Sequence, residues 1–121
     1  MKKVFEYGGL SAPLDMTDYV VAERVQNAVV ALEAVKEKLT PDKPVFEQMK
    51  LLFHAYAQVL IDATGDENAA NLALGGSTSL DEVISAVFAL TDFARAQNEA
   101  FTAHLGSSLK QFEPRKGRAK G

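Results

Sequence analysis

The sequence predicts an all-α domain of three main helices and one short helix, preceded by a small N-terminal β-hairpin. Apolar residues recur at helical spacing in three long segments, and glycines and capping residues separate those segments. Strand-like alternation is confined to residues 3–16. Because 121 residues suffice for one hydrophobic core, residues 1–112 are expected to form a single domain.

The hairpin is predicted over residues 3–16. Strand-forming residues flank the pair Gly8-Gly9, which favours a tight turn, and Pro13 limits pairing to a sheet edge. A two-stranded hairpin is marginally stable alone, so we expect it to pack on the helices or to pair with another chain.

The first long helix is predicted over residues 17–39, with Asp15 or Thr17 capping its start. Its length favours packing in a bundle over an extended coiled coil. Its apolar residues are spaced alternately by four and three positions, as in a heptad seam: Val21, Val25, Ala28, Leu32, Val35 and Leu39.

The second helix is predicted over residues 41–64. Thr40 is the expected N-cap, Pro41 fits the first helical position, and Gly65 is the expected left-handed C-cap. One broad face carries its apolar residues, which should therefore be buried: Val45, Phe46, Met49, Leu52, Phe53, Tyr56, Val59 and Leu60.

A short helix is predicted over residues 67–74, capped by Asp66 and ended by Gly75-Gly76. A capping box of Ser79 and Glu82 then starts the last helix, predicted over residues 80–104.

This last helix is apolar on most of its circumference, which exceeds what one core needs. We therefore expect part of the surface around Phe88, Phe93 and Phe101, with the Gly75-Gly76 corner, to bind another protein.

Composition and charge exclude several kinds of site and disfavour some classes of partner. The chain has no cysteine, which excludes disulfides and thiolate metal sites, and no apolar run approaches the roughly 18 residues of a membrane span. Residues 113–121 form a basic segment of net charge +3, expected to be a flexible tail, so the rest of the chain carries −6. An acidic body makes nucleic acid an unlikely partner, although the tail itself could contact RNA or an acidic protein. The expected localisation is cytoplasmic.

No catalytic, cofactor or metal site is predicted. His54 and Tyr56 could serve a small-molecule or catalytic pocket, but Lys50 and Gln58 occupy the positions where a carboxylate would orient the histidine. The glycine-rich segment 75–79 precedes a helix, as phosphate loops do. However, no lysine follows it, and Asp81 and Glu82 in the first turn would repel phosphate.

Three successive stretches of the C-terminal half resemble a known family. An aromatic-rich helix, LLFHAYAQVLID, is followed by ATGDENAANLALGG and then by the capped helix SLDEVISAVFALTDFARAQ. Together with the N-terminal hairpin and the entry LDMTD, this order resembles the small tail assembly chaperone-like proteins of phages and prophages of Gram-positive bacteria. The resemblance spans about residues 3–103. Leu74 and Ser79 stand where such proteins usually have an aromatic residue and an asparagine.

This resemblance implies a non-enzymatic protein that binds tape-measure and tail-tube proteins and forms a homo-oligomer in the bacterial host cytoplasm. Such chaperones keep the long helical tape measure soluble until the tail tube polymerises around it. The alternative is a small helical dimerisation or regulatory module of a bacterial operon unrelated to phage tails, which would form a dimer without any phage partner.

Overall fold

The computed structural model describes residues 2–110 of the chain, and the side chains of residues 2–106. The order of elements is β1 (Val4–Tyr7), β2 (Leu10–Pro13), α1 (Tyr19–Glu37), α2 (Val45–Thr64), α3 (Ala69–Leu74) and α4 (Leu80–Lys110). The prediction of an all-α fold with three main helices, one short helix and an N-terminal hairpin is confirmed. The predicted basic tail, residues 113–121, lies outside the described residues.

Helix α1 begins two residues later than predicted, because Asp18 is its N-cap. The Asp18 carboxylate accepts a hydrogen bond of 3.0 Å from the backbone N–H of Val20. The prediction that Asp15 or Thr17 caps the helix is wrong. Asp15 instead accepts hydrogen bonds from the Thr17 hydroxyl at 2.6 Å and from the Thr17 backbone N–H at 3.0 Å. These bonds stabilise the carboxylate and lower the pKa of Asp15.

The predicted heptad seam of α1 is buried at its centre. Val25, Ala28 and Leu32 are buried, whereas Val21 and Val35 are half-buried. Helix α1 ends at Glu37 and packs mainly against α2, as expected for a helix bundle.

Helix α2 begins at Val45, and the prediction of a start at Pro41 is wrong. A proline disfavours helical geometry in the residue before it, so Pro44 keeps Lys43 out of the helix. Pro44 itself has ψ 148°, outside the helical range. The predicted end is confirmed: Gly65 is left-handed, with φ 73°, and donates its N–H to the Ile61 carbonyl at 2.8 Å.

Burial along α2 differs from the prediction. Tyr56, Val59 and Leu60 are buried as expected. The first turns are not, because Val45 is 71% exposed and Phe46 is 70% exposed. The predicted apolar face therefore belongs to the core only in its second half.

Helix α3 begins at Ala69 and not at residue 67, and Asp66 does not cap it. The Asp66 carboxylate accepts from the Asn68 N–H at 2.9 Å, which forms a turn one residue ahead of the helix. Gly75 and Gly76 end the helix as predicted. Both have positive φ, 59° and 86°, a conformation that suits glycine.

Only one of the two hydrogen bonds of the predicted capping box forms at the start of α4. The Ser79 hydroxyl accepts from the Glu82 N–H at 3.4 Å, but the Ser79 N–H donates to the Ser77 hydroxyl at 3.1 Å. The helix then continues to Lys110, so the predicted end at residue 104 is wrong. One glycine inside a helix costs only about 1 kcal/mol relative to alanine, and Gly106 does not interrupt α4.

The hairpin packs on the helices of its own chain. Strands β1 and β2 pair antiparallel, and Phe5, Leu10 and Ala12 are buried in the common core. At the hairpin tip, the N–H of Gly9 donates to the carbonyl of Leu72 in α3 at 2.9 Å. The turn therefore rests directly on the backbone of the short helix.

Gln97 of α4 holds the other end of the hairpin. It is 2% exposed, and its side chain accepts from the Met16 N–H at 2.7 Å. The same amide group donates to the carbonyls of Leu14 and Lys2, each at 2.7 Å. One side chain thus satisfies three backbone groups on both sides of the hairpin, which buried polar groups require.

We expect Gly8→Ala to destabilise the fold by about 3 kcal/mol, because Gly8 has φ 59° and an added Cβ would overlap the carbonyl oxygen of Ala73. Gly75→Ala is the matched control. Gly75 also has φ 59°, but an added Cβ there meets nothing within 4 Å, so its cost should be about 1 kcal/mol. Urea unfolding measures both changes, and equal costs would refute the close contact between the turn and α3.

We expect Gln97→Leu to lower the free energy of unfolding by about 2–4 kcal/mol, because it leaves the buried Met16 N–H and Leu14 carbonyl without partners. Gln58→Leu is the control, since Gln58 is exposed and bonds only to Asp62. Its cost should stay below about 0.5 kcal/mol. Chemical denaturation of both variants checks the difference, and similar costs would contradict this role of Gln97.

Candidate protein-binding surface

An open apolar groove lies between the first turns of α2 and the start of α4. We call it the α2–α4 groove. It has a volume of about 360 Å³ and is lined mainly by side chains from α2. Its apolar walls are Phe46, Met49, Phe53 and Leu80, and Lys50 and His54 contribute its polar atoms.

The local sequence explains why this groove is open. Helix α2 starts after Pro44, at a point where neither the hairpin nor α3 covers it, and Phe46 and Met49 remain 70% and 46% exposed. The turn at Gly75-Gly76 brings Thr78 and Leu80 beside α2 and so builds the second wall. The groove therefore lies beside the turn at Gly75-Gly76.

The chemistry of the groove is that of a hydrophobic binding site. Phe53 and His54 make an edge-to-face contact, with ring centroids 5.9 Å apart. The first turns of the two helices carry acidic residues, namely Glu47 of α2 and Asp81 and Glu82 of α4. Such a site can bury apolar side chains and offers charged partners at its edges.

The structure separates the three phenylalanines predicted to bind a partner. Phe88 is 58% exposed on α4, two turns after Leu80. Phe93 is half-buried against Phe5 of the hairpin, with ring centroids 5.6 Å apart. Phe101 is half-buried near the far end of α4. None of these three side chains is among those that line the α2–α4 groove.

The corner glycines adjoin the groove without lining it. Gly75 and Gly76 are exposed, and an added Cβ at either position meets nothing within 4 Å. Their role in the structure is to direct the chain between α3 and α4.

The structure does not bring His54 and Tyr56 together in one pocket. Tyr56 is 7% exposed and belongs to the core, whereas His54 is exposed and lines the α2–α4 groove. Within residues 2–110, no three histidine, aspartate or glutamate side chains converge as metal ligands would.

Sequence reasoning missed the α2–α4 groove because helical spacing alone placed Phe46 and Met49 on the buried face of α2. The available signal was Pro44, which delays the helix and leaves its first turns beyond the reach of the other elements.

Comparison with known proteins identifies no relative: no protein-family model, curated protein or solved structure matches the chain. Among the described helices, none combines the length and the apolar character that crossing a membrane requires.

Proposed function

We propose that this chain is a non-enzymatic phage or prophage tail-assembly protein, similar to tail assembly chaperones, that binds tape-measure or tail-tube proteins through apolar helix surface. The resemblance of the sequence to that family suggests the class of partner. The observation that carries the binding role is the α2–α4 groove, where Phe46 and Met49 are exposed beside Phe53 and Leu80.

The shape of the groove suits an amphipathic helix. Phe46, Met49 and Phe53 follow one another at three- and four-residue spacing along α2, so they form a continuous apolar row. A partner helix that lays its apolar face on such a row buries side chains from both partners, as in helix-in-groove recognition. A tape-measure protein, being long and largely helical, offers many segments of this kind.

The modest size of the groove fits a reversible chaperone. Burying one large apolar side chain contributes about 1.5–3 kcal/mol, and association itself costs several kcal/mol. A few side chains in one groove therefore give weak binding, and repeated contacts along a long partner would add avidity. Release during tail polymerisation requires such weak individual contacts.

A helical dimerisation or regulatory module unrelated to phage tails is the second candidate. The observation that favours it is the end of α4, which continues to Lys110 although Gln97 is the last buried residue among the side chains described through residue 106. A partner-independent dimer with no affinity for tail proteins would support this candidate.

The groove assignment predicts that Phe46→Ser with Met49→Ser weakens binding to a candidate tape-measure protein by at least about 100-fold, because two apolar contacts are lost. Val30→Ser is the control, since Val30 is 54% exposed on α1 and lies outside the groove. Calorimetric titration of the full chain measures the affinities. Unchanged affinity in the double variant, with the fold intact by circular dichroism, would refute the assignment.

A further inference from the structure

The polar part of the α2–α4 groove is basic. Its polar side chains are Lys50 and His54 of α2 and the hydroxyl-bearing Thr78, and no carboxylate is among the described residues that line it. Lys50 and His54 are both exposed and lie four residues apart, so they are neighbours on one face of α2.

The two basic residues lie along one edge of the apolar row of α2. Successive helical residues are rotated by about 100°, so Lys50 and His54 lie about 40° and about 80° from Phe46 around the helix axis. Met49 and Phe53 lie on the other side of Phe46. A helix that packs on the apolar row therefore has both basic side chains along one flank.

Neither basic side chain is paired within the described part of the chain. The hydrogen bonds and ion pairs of residues 2–106 include none from the Lys50 ammonium or the His54 imidazole. Glu47 stands three residues before Lys50, but it forms no ion pair with it and does not line the groove. Both basic groups are therefore available to a partner.

We propose that the helix bound in the α2–α4 groove carries Asp or Glu side chains along one flank of its apolar face, and that Lys50 and His54 bind these carboxylates. This inference rests on the function proposed above and adds the charge of the partner to it. An ammonium and an imidazole N–H both donate to carboxylate oxygens. Such charge-assisted hydrogen bonds are stronger than neutral ones.

The apolar walls of the groove make this charge selective. When partner side chains fill the space between Phe46 and Leu80, they displace water beside Lys50. Opposite charges attract more strongly at the lower dielectric that results. A partner with an apolar or basic flank would leave the ammonium desolvated and unpaired, which is costly. The groove therefore discriminates against such helices.

The shape of the groove favours a helix over a small apolar acid. Small-molecule pockets enclose most of their ligand, whereas Phe46 and Met49 are 70% and 46% exposed at the rim of this groove. The apolar row from Phe46 to Phe53 is about 10 Å long at the helical rise of 1.5 Å per residue. This length matches about two turns of a helix packed alongside.

Fluorescence anisotropy of the full chain with two synthetic amphipathic helical peptides tests the proposal. Each peptide has about 20 residues, enough to form a helix alone, and carries leucines at helical spacing. One has glutamates along one flank, and the other has glutamines at the same positions. We expect the glutamate peptide to bind at least about fivefold more tightly at low ionic strength. The difference should fall below about twofold in about 1 M salt, because salt screens the charges.

A double variant assigns this preference to the two basic residues. Lys50→Met with His54→Gln should bind both peptides with similar affinity, because methionine keeps an apolar stem without the charge. Lys38→Met is the matched control, since Lys38 is exposed at the end of α1 and does not line the groove. It should keep the full preference for the glutamate peptide.

The outcomes separate the charge of the partner from the groove itself. Equal affinity of the natural chain for both peptides, with both weakened by Phe46→Ser with Met49→Ser, would overturn the charge inference and leave the groove as a binding site. A preference that survives in Lys50→Met with His54→Gln would overturn it as well. Displacement of the glutamate peptide by decanoate at lower concentration than by unlabelled peptide would assign the groove to a small apolar acid instead. Binding of neither peptide would refute the proposed groove function, and the inference with it.

Discussion

The fold depends on the contact between the Gln97 amide and the backbone on both sides of the hairpin. A two-stranded hairpin has too little buried surface to persist alone. Here its two ends are joined to one side chain of α4 by three hydrogen bonds of 2.7 Å. Its tip rests on α3 through Gly9. These contacts make the hairpin part of the core of its own chain.

The position of the hairpin on α3 and α4 determines which apolar surfaces of the helices remain open. Because the hairpin covers α3 and the middle of α4, where Phe5 meets Phe93, it does not reach the first turns of α2. It also leaves the outer side of α1 and α4 uncovered, and each helix packs mainly on α2. Among the surfaces left open is the α2–α4 groove, whose lining is mainly apolar.

The sequence predicted the elements better than their ends. Glycines with positive φ mark real boundaries at Gly65 and Gly75, because few other residues accept that conformation. The predicted ends were misplaced where several side chains compete to cap a helix. At the start of α1, Asp15, Thr17 and Asp18 each carry an oxygen that could cap the helix, and Asp18 does so. Burial depends on which other elements cover a helix. The exposure of Phe46 and the burial of Gln97 therefore could not be predicted from helical spacing and became evident only from the tertiary structure.

On the function proposed above, the α2–α4 groove binds a helical protein. Hydrogen–deuterium exchange of the full chain, with and without a candidate tape-measure protein, measures whether the groove is covered in the complex. We expect slower exchange of backbone amides in residues 45–54 and 78–84, because a bound helix covers both walls of the groove and suppresses local opening there. Unchanged exchange in these two segments, in a sample where the complex is fully formed, would contradict it.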